Sequence, residues 1–326
     1  MNEKPSEREG SDDQYQTSQS TAQQSDAELK SQASASTEKP KKRSSFPTLG
    51  DLLAIVGLVL VSTLISQLGT YLLGCQFPTM KNGEMVYPPS AVWGHTVAVS
   101  YFLLMCVLIT LTLLYRALRG GHGRLVRFSA RGFNPILILW GVVLLIATNV
   151  VFEPLVNFFQ FMPMPDMGTG GWVVLMTVVA APLFEELLCR GIVLESIRTK
   201  YGVVAAWLLS SIFFAILHVH PAMVVNAFII GLLFGYIYIR SSSLFPTIFL
   251  HAFNNALALA LMWTHWSGER FAGKPLSSLR LSEIIGNQGV YVVVYLLALM
   301  IFVASGYMVY RTLRQIKQDE KKQQEA

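Results

Sequence analysis

From Leu49 onward the chain is a succession of apolar runs, most of them about 20 residues long, separated by short polar breaks. A run of that length is what a helix needs to cross about 30 Å of hydrocarbon. In lipid every backbone N–H and C=O must find its partner inside the protein, so runs this long and this apolar can only be helices. The runs fall at about 49–74, 91–115, 135–160, 172–197, 203–219, 222–239, 244–266 and 288–310. The chain is 52% hydrophobic and 14% charged, too apolar for an ordinary soluble domain. The expected fold class is therefore all-α: a polytopic membrane bundle of about eight transmembrane helices.

Residues 1–46 read differently. They are rich in Ser, Gln, Glu, Asp and Lys and nearly free of aliphatic side chains. Such a segment cannot bury enough apolar surface to offset the entropy of ordering, so it reads as a disordered tail. The membrane domain occupies 47–310 and a charged tail 311–326. Basic residues then set the orientation. Lys41, Lys42 and Arg43 precede the first run, and Arg116, Arg119, Arg124, Arg127 and Arg131 lie between the second and third. Arg198 and Lys200 follow the fourth, Arg240 the sixth, and Arg311, Arg314 and Lys317 the eighth. All of these fall on one side if both termini are cytoplasmic, and the loop 267–287 on the opposite side carries Arg270, Lys274 and Arg280. The runs make it a multi-pass membrane protein, and the long Ser/Gln-rich tail with no organelle signal suggests a bacterial plasma membrane. The net charge of +5 suits anionic lipid headgroups and carries no nucleic-acid signature. Cys75, Cys106 and Cys189 are too few and scattered for a disulfide framework.

Against this background the polar residues inside the runs are costly. A charge at bilayer depth costs about 2.5–3.5 kcal/mol on insertion scales. The fourth run nevertheless holds Glu185, Glu186 and Arg190, with Pro182 just upstream. Glu186 and Arg190 are four apart and share a helix face, so they can neutralise each other. Glu185 is turned about 100° away and is left to face a wet cavity. The fifth run ends Phe214-Ala-Ile-Leu-His218-Val-His220-Pro221, and the seventh carries His251 and Asn255 on one face with Asn254 turned aside. Each group alone also has a structural reading: the glutamates and arginine as an ion-pair cluster that fixes helix packing, His218 as a packing or interfacial residue at a helix end, and the His251–Asn255 face as glue between membrane helices. Together they supply a carboxylate base, a helping histidine, and a histidine and amide able to donate hydrogen bonds. Those are the parts for hydrolysis by activated water. No Gly-x-Ser-x-Gly or His-Glu-x-x-His motif occurs. A zinc site from His218, His220, His251 and a carboxylate is chemically possible but lacks two ligands paired on one helix. A proton-coupled transporter is a further alternative, disfavoured by the lack of an evident inverted repeat.

Glu185-Glu186-x-x-x-Arg190, Phe214-x-x-x-His218 and His251-x-x-x-Asn255, in this order on consecutive helices, resemble the three motifs of the CPBP family. These are the CAAX proteases and bacteriocin-processing (Abi) enzymes, to which the eukaryotic CAAX-prenyl endopeptidase of the Rce type belongs. The resemblance covers about residues 172–262. It implies an eight-helix intramembrane glutamic endopeptidase with a conical catalytic cavity, independent of metal and cofactor. Its substrates would be membrane-associated peptides or proteins. By position it makes Glu185 the base that activates water, His218 its helper, and His251 and Asn255 the oxyanion donors. Glu186, Arg190 and Phe214 support them. Some relatives are linked instead to bacteriocin immunity or to regulation by partner binding, which stands as the competing function. Substrate identity and oligomeric state are left open. Gly231 and Gly235 form a small-xxx-small pair in the sixth run, with packing inside one chain as its expected use.

One geometric conflict follows. At about 1.5 Å per residue, His218 lies some 23 Å along the fifth run, whereas Glu185 lies near mid-membrane. They can meet only if the fifth helix crosses incompletely.

Overall fold

A computed structural model of the chain describes residues 46–121, 125–126, 134–162, 167–265, 267 and 271–325. The expected disordered tail thus lies outside the described residues apart from Phe46, as do the loop at 163–166 and Arg124, Arg127, Arg131 and Arg270. What is described is an all-α helix bundle of an integral, multi-pass membrane protein.

In chain order the long helices are α1 (Leu49–Leu72), α2 (Ser90–Leu118) and α3 (Pro135–Phe158). Next comes an apolar run, Gly171–Ile216, of 46 residues. After it come α6 (Pro221–Ser241), α7 (Phe245–Trp263) and α8 (Gln288–Glu325). By length and hydropathy alone there are seven candidate spans, because Gly171–Ile216 counts as one. It is two helices. Gly202 has φ 82 and ψ −179, a conformation essentially closed to residues with a Cβ, and it breaks the run into α4 (residues 171–201) and α5 (residues 203–216). The guanidinium carbon of Arg190 lies 4.5 Å from the centroid of the Phe214 ring. In an unbroken helix these residues would be about 36 Å apart, so the chain folds back at Gly202.

The conflict over His218 is resolved by where the chain turns: Glu185 lies 17 residues before Gly202 and His218 16 residues after it, so at about 1.5 Å per residue both sit about 25 Å from the turn. The 14 residues of α5 (203–216) reach about 21 Å, short of the hydrocarbon thickness. Helix α5 therefore ends beside the middle of α4, and His218 sits just past that end.

Helix pairs follow from the side chains they share. Thr48 and Asp51 form a capping box at the start of α1. The buried Asp51 carboxylate also accepts from Tyr115 and Arg119, each at 2.7 Å, which pins α1 to the end of α2. Helix α3 packs on α6, α7 and α8, and α5 packs on α6. Gly231 and Gly235 allow the last contact. A Cβ at Gly231 would come within 3.2 Å of Phe214, and one at Gly235 within 2.8 Å of Trp207. Trp207 in turn donates its indole N–H to the Leu232 carbonyl at 2.7 Å. The small-xxx-small pair thus serves packing within this chain. Two apolar clusters result, one around Met105, Leu188, Ile197 and Phe214, the other around Leu145, Phe234, Leu250 and Leu313.

Three features depart from the expected outline. Residues 79–86 form a hairpin, with Thr79–Lys81 (β1) antiparallel to Glu84–Val86 (β2). Its turn, Asn82-Gly83, has φ 51 and 84, the paired positive values of a tight hairpin turn. The expected loop 267–287 contains a short helix, Leu281–Ile285. The residues expected as a charged tail from 311 continue α8 as far as Glu325, and Leu313 and Ile316 are buried in the second cluster.

Gly202→Ala is expected to lower stability by about 1–3 kcal/mol through backbone strain alone, since a Cβ there meets nothing within 4 Å. Gly57→Ala, in a helix with equal free space, should not. Thermal unfolding of the two variants in detergent separates them.

Candidate functional site

The polar centre of the bundle is built on α4, which is not a uniform α-helix. Leu175–Ala180 and Leu187–Leu194 are π-helical, and the α-helical turn Ala181–Glu186 between them carries both glutamates. Such wide turns in otherwise α-helical segments are frequent at functional sites. Pro182 gives one reason for the first. In the register set by the bond from Ala181 N–H to the Met176 carbonyl, the next donor would belong to residue 182 and the next acceptor to Thr177. Proline has no N–H. The Thr177 carbonyl instead accepts from the Nδ2 of Asn255 on α7, at 3.0 Å. The helix defect is repaired by a side chain from another helix.

Glu186 and Arg190 pair at 2.8 Å, and both are fully buried. Arg190 also donates to the Gly231 carbonyl at 3.0 Å and stacks over the rings of Phe214 and Phe234, its guanidinium carbon 4.5 and 5.8 Å from their centroids. Those rings belong to the two different apolar clusters, so the ion pair lies at the seam between them. Burying two charges is costly, and only excellent geometry with added hydrogen bonds offsets it. Here the guanidinium has a carboxylate, a carbonyl and an aromatic face.

His251 on α7 bridges the glutamates. Its Nδ1 is 3.2 Å from Oε1 of Glu186, and its Nε2 is 3.8 Å from Oε2 of Glu185. An ionised carboxylate only accepts, so the contact with Glu186 places a proton on Nδ1. The imidazole packs between Phe214 and Phe234, at 5.4 Å from each ring centroid. Glu185 is buried too, yet differently partnered. Its Oε1 accepts from the uncharged Tyr101 hydroxyl at 2.9 Å, and its Oε2, like Oε2 of Glu186, has no hydrogen-bond partner in the protein.

His218 approaches from the other side of Phe214. The two rings are 5.2 Å apart, edge to face, and Nδ1 of His218 lies 3.0 Å from the Phe214 carbonyl. That contact directs Nε2 away from its own helix. Glu185, Glu186, Arg190, Phe214 and His251 are thus in direct contact, and His218 joins them through Phe214. Asn255 is tied to Thr177 on the same helix as the glutamates. Asn254, on the other face, accepts from Asn149 of α3 at 3.1 Å, a tie between helices. His220 stands outside the group: its Nε2 contacts the Met162 carbonyl at 3.0 Å. Among the described residues no three His, Cys, Asp or Glu side chains are grouped to hold a metal ion.

Sequence reasoning missed Tyr101. It sits in an apolar stretch of α2 with no motif around it, and only its hydroxyl marks it.

Residues 168–257 match the family model described as type II CAAX prenyl endopeptidase Rce1-like. This is the CAAX protease family that the three motifs resemble, and the match takes in all three of them. Comparisons with curated proteins and with solved structures return no match.

The two glutamates should differ in what they do for stability. Glu186→Gln leaves a buried guanidinium without its counter-charge and is expected to cost about 3–5 kcal/mol. Glu185→Gln keeps an acceptor for Tyr101 and should fall within about 1 kcal/mol of the parent. Chemical denaturation in mild detergent, read for both variants, tests the difference.

Proposed function

We propose that this protein is an intramembrane endopeptidase in which Glu185 activates water to cleave peptide bonds of membrane-associated substrates. The observation that carries the reading is the unequal partnering of adjacent carboxylates. Each keeps one buried oxygen without a hydrogen-bond partner, but the other oxygen of Glu186 is held by the Arg190 guanidinium and by His251, while that of Glu185 has only the uncharged Tyr101 hydroxyl, and the open oxygen of Glu185 lies 3.8 Å from Nε2 of His251. The Rce1-like match at 168–257 supports the reaction class.

The reaction runs in two steps. Glu185 takes a proton from a water molecule as the oxygen of that water attacks the carbonyl carbon of the scissile peptide. The carbonyl π electrons move to oxygen and make an oxyanion. That intermediate collapses, the C–N bond breaks, and the proton held by Glu185 passes to the leaving amine. The immediate products are a carboxylic acid and an amine, the acid proton passes to the amine to leave a carboxylate and an ammonium, and Glu185 ends as it began.

His251 and Asn255 are the donors for the oxyanion. For Nε2 of His251 to donate while Nδ1 donates to Glu186, the ring must carry both protons. Asn255 uses one amide hydrogen on the Thr177 carbonyl and retains the second. His218, at the end of α5, helps hold the water. The surroundings of these groups are apolar, which strengthens each electrostatic contact with developing charge.

The orientation that places both termini in the cytoplasm follows from the basic residues and belongs to the same reading. So does a bacterial plasma membrane as the setting.

Purified full-length protein in lipid nanodiscs, given an internally quenched peptide ending in a farnesylated Cys-aliphatic-aliphatic-X sequence, is expected to cleave it. Glu185→Gln should reduce kcat by about a thousand-fold or more, and His251→Ala or Asn255→Ala by about 100- to 1000-fold. Chelators should leave the rate unchanged. Activity lost to a chelator and restored by zinc would replace the glutamate mechanism with a metal one. A cellular phenotype unchanged by Glu185→Ala, His218→Ala and His251→Ala alike would point to partner binding as the role of the domain.

A further inference from the structure

The two oxygens of the Glu185 carboxylate are held differently. Oε1 accepts a hydrogen bond of 2.9 Å from Tyr101. Oε2, buried and without a protein partner, lies 3.8 Å from Nε2 of His251. We propose that Tyr101 is a positioning residue for the reaction, fixing the carboxylate so that Oε2 alone takes the proton from water. The inference rests on the reading of Glu185 as the base. It adds a residue from α2, which lies outside the matched segment 168–257.

The terminal torsion of a glutamate is broad and nearly two-fold, so an unanchored carboxylate turns and exchanges its oxygens. One donor on one oxygen stops this. A tyrosine suits the task because a phenol supplies a single hydrogen without bringing a charge. The ring of Tyr101 is also constrained, since it packs against the apolar cluster of Met105 and Leu188.

Tying α2 to α4 is the simpler use of such a bond, and other contacts already perform it. Arg116 donates to the Ser196 hydroxyl at 3.1 Å near one end of the helix pair. Near the other end a Cβ on Gly94 would come within 2.5 Å of the Thr169 carbonyl oxygen, so the backbones are in close contact there. Next to Tyr101 itself, Phe102 packs edge to face on Phe184 at 6.2 Å. The helices stay docked without the phenol hydroxyl, which leaves orientation of Glu185 as its distinct effect.

Tyr101→Phe removes the hydroxyl and keeps the ring. Tyr115→Phe is the matched control. It removes a hydroxyl that donates to the Asp51 carboxylate from the same helix, away from the site. In nanodiscs with the farnesylated quenched peptide, Tyr101→Phe is expected to lower kcat about 10- to 100-fold, the scale of one hydrogen bond to a charged group. KM should stay within about two-fold of the parent. Tyr115→Phe should leave kcat unchanged. The infrared carboxylate stretch of Glu185, isolated by subtracting the spectrum of Glu185→Gln, should move in Tyr101→Phe and not in Tyr115→Phe. A parental kcat in Tyr101→Phe while Glu185→Gln is inactive overturns the inference and leaves the glutamate mechanism standing. Equal losses in the two tyrosine variants, or an unmoved infrared band, overturn it as well. Full cleavage by Glu185→Gln removes the base and the positioning role together.

Discussion

The arrangement depends on the buried pair of Glu186 and Arg190. It lies where the two apolar clusters meet, with Phe214 on one side and Phe234 on the other. It reaches the α6 backbone at Gly231 and, through His251, the middle of α7. A buried ion pair contributes little net stability compared with apolar side chains of the same shape. What it contributes here is register. A guanidinium with a carboxylate, a carbonyl and two rings to satisfy admits few alternative positions, and three helices are indexed to it. Glu185, one residue away and turned by about 100°, inherits that index without sharing the neutralising contact.

Much of this was legible in the order of residues, for reasons that can be named. The spans follow from hydrophobic length, and the Glu186–Arg190 pair follows from four-residue spacing on a helix. The opposite facing of Asn254 and Asn255 follows from the same periodicity and agrees with their separate partners on α3 and α4. The Gly231–Gly235 contact was readable as small residues one turn apart. The hairpin at 79–86 carried a readable sign, Asn82-Gly83, hidden among residues otherwise consistent with a plain loop.

Other features were out of reach. Tyr101 and Glu185 are far apart in sequence, and no local pattern on α2 signals a partner. The turning back of His251 toward Glu186 depends on how α7 is rotated, which periodicity leaves undetermined. The π-helical turns of α4 have no residue signature beyond Pro182. The break between α4 and α5 was expected between 197 and 203, but the positive φ of Gly202 that makes it appears only when the chain is folded. Each of these is a tertiary fact imposed on a sequence that was locally compatible with something plainer.

The repair of α4 by Asn255 has a consequence for how this chain can change. The Thr177 carbonyl needs a donor because position 182 is proline, so the requirement at one site is created by the identity of the other. If position 182 acquired an N–H, the carbonyl would regain a donor from its own helix and the amide of Asn255 would be released to turn elsewhere. The imino acid and the amide are therefore linked in inheritance: substitution at either shifts what is tolerated at the other, although the two side chains belong to different helices.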